Sequence, residues 1–260
     1  MSFYDTPLAD LDRAMAEDAG WALPHIMKAG FLLSLTEAPL QHEADAHLSH
    51  ARALLTHATP REKAHLEAVQ MVLEGRWQQA CRVWDELLVD HPRDALALQW
   101  AHLWDFYRGD AVGLRQRPAR ALPEWDLADP LYPHVLALHA FGLEESNLYA
   151  QAEEAGRRAL AAEPRAPWAV HAVAHVMEMQ GRYEDGAAWL RSHQPVWAEG
   201  NGFARASLRR NDQVATSGFL GDNGGLYRGQ RGIATRGKRF TKKRGKFFNC
   251  HWGSSVQTPP

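Results

Sequence analysis

His171, His175 and Glu178 stand at intervals of four and three residues, the spacing that sets three side chains on one stripe of an α-helix. Two imidazoles and a carboxylate on one face can hold a divalent metal with a position left open, or act on each other as an acid-base pair. They can also hydrogen-bond one another and grip a partner peptide. The residues between the histidines are Ala-Val-Ala, which supply no adjacent base, so this is not the HExxH arrangement. No Gly-rich phosphate loop, GxSxG elbow or paired-cysteine site occurs in the 260 residues. Binding is therefore the leading expectation, and a metal-assisted or acid-base enzyme of hydrolase type using the same residues is the alternative.

These side chains can act together only if the chain around them is helical, and the spacing of turn residues says that it is. Gly75, Gly109, Asn147 and Gly181 each follow an apolar-periodic stretch, at separations of 34, 38 and 34 residues. Thirty-four is the tetratricopeptide period, and Gly and Asn accept the left-handed conformation that closes a helix. Around three of the four, Gly75, Asn147 and Gly181, the same types recur: small Ala68, Ala140 and Ala174 seven residues before the turn, aromatic Trp77, Tyr149 and Tyr183 two residues after it, and Pro92 and Pro164 where the second helix of the first and third copies stops. The fold class this predicts is all-α, a tetratricopeptide-type helical-hairpin solenoid over residues 61–203. In the second copy Pro118, Pro123, Pro130 and Pro133 predict a short, irregular second helix from Val112 to Ala121 and then a loop. Residues 1–60 read as helices near Pro7–Glu17, Trp21–Leu35 and Pro39–His57 that lead into the stack.

In such repeats the second, fifth, ninth and twelfth places of each first helix face the concave groove. The register puts Trp168, His171, His175 and Glu178 there in the fourth copy, and His134, Ala137, Phe141 and Glu144 with Glu145 in the third. The second copy offers Leu96, Gln99, Leu103 and Phe106, and the first offers Glu62, His65, Val69 and Val72. A groove apolar at one end and polar at the other suits a peptide, protein segment or small molecule with a greasy part and a charged part. The candidate ligand-binding residues are Phe106, Phe141, Glu145, Trp168, His171, His175 and Glu178, and the candidate metal ligands are His171, His175 and Glu178. As groove residues, His171 and His175 are expected to be replaceable by alanine without harm to the fold.

With the repeats in register, Arg61–Leu98 (REKAHLEAVQMVLEGRWQQACRVWDELLVDHPRDALAL), Phe141–Ala166 (FGLEESNLYAQAEEAGRRALAAEPRA) and Trp168–Gln180 (WAVHAVAHVMEMQ) resemble the tetratricopeptide repeat protein 38 family. The resemblance covers about the first two hundred residues and includes polar groove positions. It implies the helical-hairpin fold. Members of that family continue with further repeats and a second histidine-rich helix, which this sequence does not show.

Other residues invite blander readings. His42, His47, His50 and His57 share one N-terminal helix and are expected to be a solvated face, while His25 sits in an apolar helix as a core histidine. Trp77, Trp84, Trp100, Trp104 and Trp189 recur at helical spacing, so packing explains them. The net charge of −2 divides unevenly: from Ala204 onward twelve Lys and Arg face two acids, giving +10, and the preceding seventeen bases and twenty-nine acids give −12. Residues 204–260 are Gly-rich and aperiodic, and are expected to be disordered. Such a tail can bind nucleic acid or an anionic membrane, or be sequence unrelated to the family, and the abrupt end of the repeat favours the last. With two cysteines, Cys81 and Cys250, no signal-type N-terminus and no apolar run of membrane length, the expected location is the cytoplasm.

Overall fold

The computed structural model of the protein describes residues 7–198. They form twelve α-helices: α1 Pro7–Glu17, α2 Ala22–Ser34, α3 Leu40–Ala53, α4 Pro60–Leu73, α5 Trp77–Asp90, α6 Ala95–Arg108, α7 Ala111–Ala121, α8 Tyr132–Glu145, α9 Tyr149–Ala162, α10 Pro167–Met179, α11 Tyr183–Ser192 and α12 Gln194–Ala198. Among the described residues there is no strand, and no helix is long and apolar enough to cross a membrane. The basic segment from Ala204, and with it Cys250, lies outside the described residues.

The four expected turns share one construction. Gly75, Gly109, Asn147 and Gly181 have φ of 73°, 69°, 61° and 73°. At each, the residue after the turn donates its N–H five residues back and the turn residue donates three back: Arg76 to Met71 and Gly75 to Val72, Asp110 to Asp105 and Gly109 to Phe106, Leu148 to Leu143 and Asn147 to Glu144, Arg182 to Met177 and Gly181 to Glu178, all at 2.8–3.0 Å. This is the Schellman closure, in which a left-handed residue satisfies the last carbonyls of a helix. Helix starts are equally local. Thr59 and Glu62 form a reciprocal capping box ahead of Pro60, and the carboxylates of Asp94 and Asp110 accept the N–H groups of Ala97 and Gly113 at 2.9 Å.

Helices adjacent in sequence pack on one another from α1 to α11, and α2 with α4, α6 with α8 and α8 with α10 also touch. One core cluster joins Ile26 and Leu48 of α2 and α3 to Trp84, Trp100 and Trp104 of α5 and α6, so the N-terminal helices share their apolar interior with the first repeat. A second gathers Phe141, Ala152, Ala159, Val170 and Leu190 of α8 to α11. Packing thus accounts for Trp84, Trp100 and Trp104, with Trp77 and Trp189 partly buried against the first and second clusters.

The second copy is the irregular one, as its prolines require. Pro118 lies inside α7, so the carbonyl of Leu114, four residues earlier, has no helical donor. Gly142 of α8 comes against that carbonyl so closely that a Cβ there would lie 2.3 Å from the oxygen. After α7 the chain makes one 3-10 turn, Leu122–Glu124, and runs irregularly to α8.

Candidate functional site

The site is built from α6, α8 and α10. Phe141 is buried at the centre, with Phe106, Trp168, His171 and His175 placing their rings 5.6, 5.5, 5.5 and 5.9 Å from its own. Buried His102 of α6 adds another ring 5.8 Å from Phe141 and donates Nε2–H to the Leu138 carbonyl at 3.0 Å. Burial, which that hydrogen bond opposes, pushes its pKa down to about 3. His102 is a neutral wall residue that the repeat register passes over.

His171 and His175 meet as their spacing requires, ring centroids 4.3 Å apart. They do not behave alike. His171 is 9 % exposed, and burial, followed by repulsion from His175, holds its pKa well below the ordinary value, so it is neutral. His175 is half-buried; burial disfavours its charge, but the Glu144 carboxylate, with Glu178 and Glu145 behind it, outweighs that and raises its pKa. Glu144 Oε2 lies 3.8 Å from His175 Nδ1, an electrostatic contact too long for a hydrogen bond. That oxygen is buried and, among the described residues, accepts no hydrogen bond. Glu145 is half-buried and its pKa is raised, by burial and then by Glu144, against the pull of His175.

The three carboxylates share an unusual placement. Glu144 and Glu145 occupy the last turn of α8 and Glu178 the last turn of α10, beside the negative ends of two helix dipoles, where helices favour cations. No Lys or Arg forms an ion pair with any of the three among the described residues.

The metal grouping differs from the single-helix triple. Glu144, Glu145 and His175 each bring one ligand atom to within 4.8 Å of the others, whereas His171, His175 and Glu178 do not form such a group. Three ligands on one stripe of a helix point outward side by side, and convergence requires a second helix opposite. His171 packs with the aromatic wall, its ring 5.5 Å from that of Trp168, and Glu178 acts on His175 at longer range. The signal for Glu144 was its register place, three after Phe141.

The first copy departs from the groove assignment. His65, Val69 and Val72 are buried: His65 bonds Asp94 at 3.0 Å and accepts from Trp84 at 3.3 Å, because Asp94 caps α6 from beneath α4. Glu62 is taken up by its cap and by Trp21 Nε1 at 2.9 Å. Cys81 is buried, and burial, then Asp105, push its pKa up to about 12, so the thiol stays protonated and is no nucleophile. No family model matches the chain.

Proposed function

We propose that the protein is a binding module of the tetratricopeptide type, resembling the tetratricopeptide repeat protein 38 family, in which α8 and α10 take the cationic end of a peptide or small-molecule ligand. The observation that carries this reading is the buried Glu144 Oε2 without a donor. A desolvated carboxylate oxygen left without a partner costs free energy unless a ligand supplies one. Half-buried Phe106 and Trp168, backed by Phe141, which is buried and not itself open to a ligand, give the ligand's apolar part an aromatic surface, whose faces also attract cations, while Glu145 and Glu178 add negative potential. The four identical turns and the packing of alternate helices support the repeat reading.

The test is titration of the full chain with lysine-containing peptides and the same peptides acetylated at the lysine, followed by intrinsic tryptophan fluorescence. Free amines should bind at least tenfold more tightly than acetylated ones, about 1.4 kcal/mol, and Glu144→Gln should erase the difference. Equal binding of both forms would sink the proposal.

A second reading rests on the 4.8 Å grouping of Glu144, Glu145 and His175. Two carboxylates and an imidazole suit a divalent metal with open positions, hence metal-assisted hydrolysis. Metal analysis of untagged protein separates this reading from the first: it requires bound metal that is lost in Glu144→Gln.

A further inference from the structure

A second set of imidazoles lies on α2 and α3, away from the site above. His25 Nδ1 and His47 Nδ1 are 3.1 Å apart, and the His50 ring stacks on that of His25 with centroids 5.4 Å apart and planes 7° from parallel. The solvated-face expectation for His47 and the core expectation for His25 both give way to this cluster: α2 and α3 pack together, and His25 and His47 are each half-buried between them.

We propose that His25 and His47, completed by His50, bind a transition-metal dication of the zinc class. Two imidazole nitrogens on one metal at about 2.0–2.1 Å are about 2.9 Å apart at a right angle and about 3.4 Å apart at the tetrahedral angle. The observed 3.1 Å falls inside that range, although the rings, with centroids 5.4 Å apart, point their Nδ1 atoms at each other as a hydrogen-bonded pair. In the metal-free protein one Nδ1 carries a proton shared with the other. Binding needs this proton to move to Nε2 of the same ring and both rings to turn from each other toward a shared ion, leaving both Nδ1 lone pairs on the metal.

The surroundings favour that tautomer. Glu43 Oε1 lies 4.0 Å from Nε2 of His47, the nitrogen remote from the pair, an electrostatic contact longer than a hydrogen bond that favours an N–H on that nitrogen, where a carboxylate beside a ligating imidazole stands. The third imidazole is ready too: His50 Nδ1 bonds the Ala46 carbonyl at 3.0 Å, so its proton is there and its Nε2 lone pair is free. His50 is exposed, and joining the metal would exchange its Ala46 bond and its stacked position for the ion, so it is the weaker third ligand.

Charge allows a dication as well. The nearby cation is Lys28, whose ammonium lies 2.6 Å from Asp12 and 4.0 Å from Glu43. Two carboxylates against one ammonium leave a surplus of one negative charge. Burial, and then neighbouring charge, lower the pKa of both His25 and His47, which keeps them in the neutral form that ligates.

The experiment uses the full chain without an affinity tag, stripped by chelator, and carrying Glu144→Gln and His175→Ala so that the other candidate metal grouping is silent. Calorimetric titration with Zn2+ should show one bound equivalent, and Zn2+ should raise the melting temperature. Adding His25→Ala or His47→Ala should weaken binding at least tenfold and remove the thermal shift, while His50→Ala should weaken it less. His47→Gln, which keeps the bulk of the side chain, guards against loss of fold. With Cu2+ as probe, electron paramagnetic resonance should show coupling to imidazole nitrogens that is lost in His47→Gln. Zn2+ affinity unchanged in His25→Ala and His47→Gln, or no Zn2+ bound by the starting protein, would overturn the proposal.

Discussion

Glu144 of α8 faces His175 of α10 with Oε2 to Nδ1 at 3.8 Å, and this one pairing across two helices makes His175 the basic imidazole of the two. The folded protein binds a proton at His175 more tightly than the unfolded chain does, because its pKa is raised. That stabilisation is complete below the ordinary histidine value of 6.5 and is lost as pH rises through the folded value. Glu144→Gln removes the main source of the shift. The His175 ring resonances, followed by NMR, should titrate at lower pH in the variant, and the stability gap between wild type and variant should be wider at pH 6 than at pH 8. An unmoved His175 titration would show that Glu144 does not set its charge.

His171 should prove costlier to remove than a solvent-facing groove residue. It is 9 % exposed and lies against Phe141 and Trp168, so His171→Ala opens a cavity worth about 2 kcal/mol. His171→Phe keeps the volume and should recover most of that. His175→Ala, at a half-buried place, should cost about 1 kcal/mol or less. Urea denaturation of the three variants checks the order.

His102 gives the described core a vulnerability to acid. Its pKa is about 3 in the folded protein against 6.5 ordinarily, so its contribution is present above 6.5 and is lost as pH falls toward 3. Over that window each pH unit costs about 1.4 kcal/mol from one such group. His102→Leu should therefore be destabilising at pH 7 and much less so, or neutral, at pH 4.5. Denaturant midpoints of both proteins at the two pH values test this, and a parallel loss in both would refute it.

The packing of α7 on α8 should tolerate no side chain at Gly142. Its Cβ would lie 2.3 Å from the Leu114 oxygen and 2.6 Å from the Arg115 nitrogen, both backbone, which cannot swing away. Gly142→Ala should cost about 3 kcal/mol or more. Gly75→Ala and Gly181→Ala meet no atom within 4 Å and should cost about 1–2 kcal/mol, the penalty of a left-handed residue alone. Thermal melts showing Gly142→Ala no worse than the other two would place the α7 and α8 contact elsewhere.

Much of the architecture was legible because its determinants are local. A glycine or asparagine that ends a helix, an aspartate or threonine that starts one and a proline that shortens one each act within a few residues, so the turns at 75, 109, 147 and 181 and the limits of α1 and α7 follow from the sequence. The meeting of His171 and His175 follows too, since one helical turn separates them. The candidate site was legible as a set of residue types but not as a set of partners.

Which side chains oppose each other across helices depends on axial offset and closeness of approach, and these come from contacts such as Gly156 of α9, where a Cβ would lie 2.5 Å from Val173 of α10. No periodicity encodes that offset. The sequence therefore determined the helices, their closures and the stripe carrying His171, His175 and Glu178. Only the tertiary structure decided that Glu144 faces His175, that His65 is taken into the core by Asp94, and that His25 and His47 meet between α2 and α3, because a side chain's charge and reach are settled by the neighbour that packing brings to it.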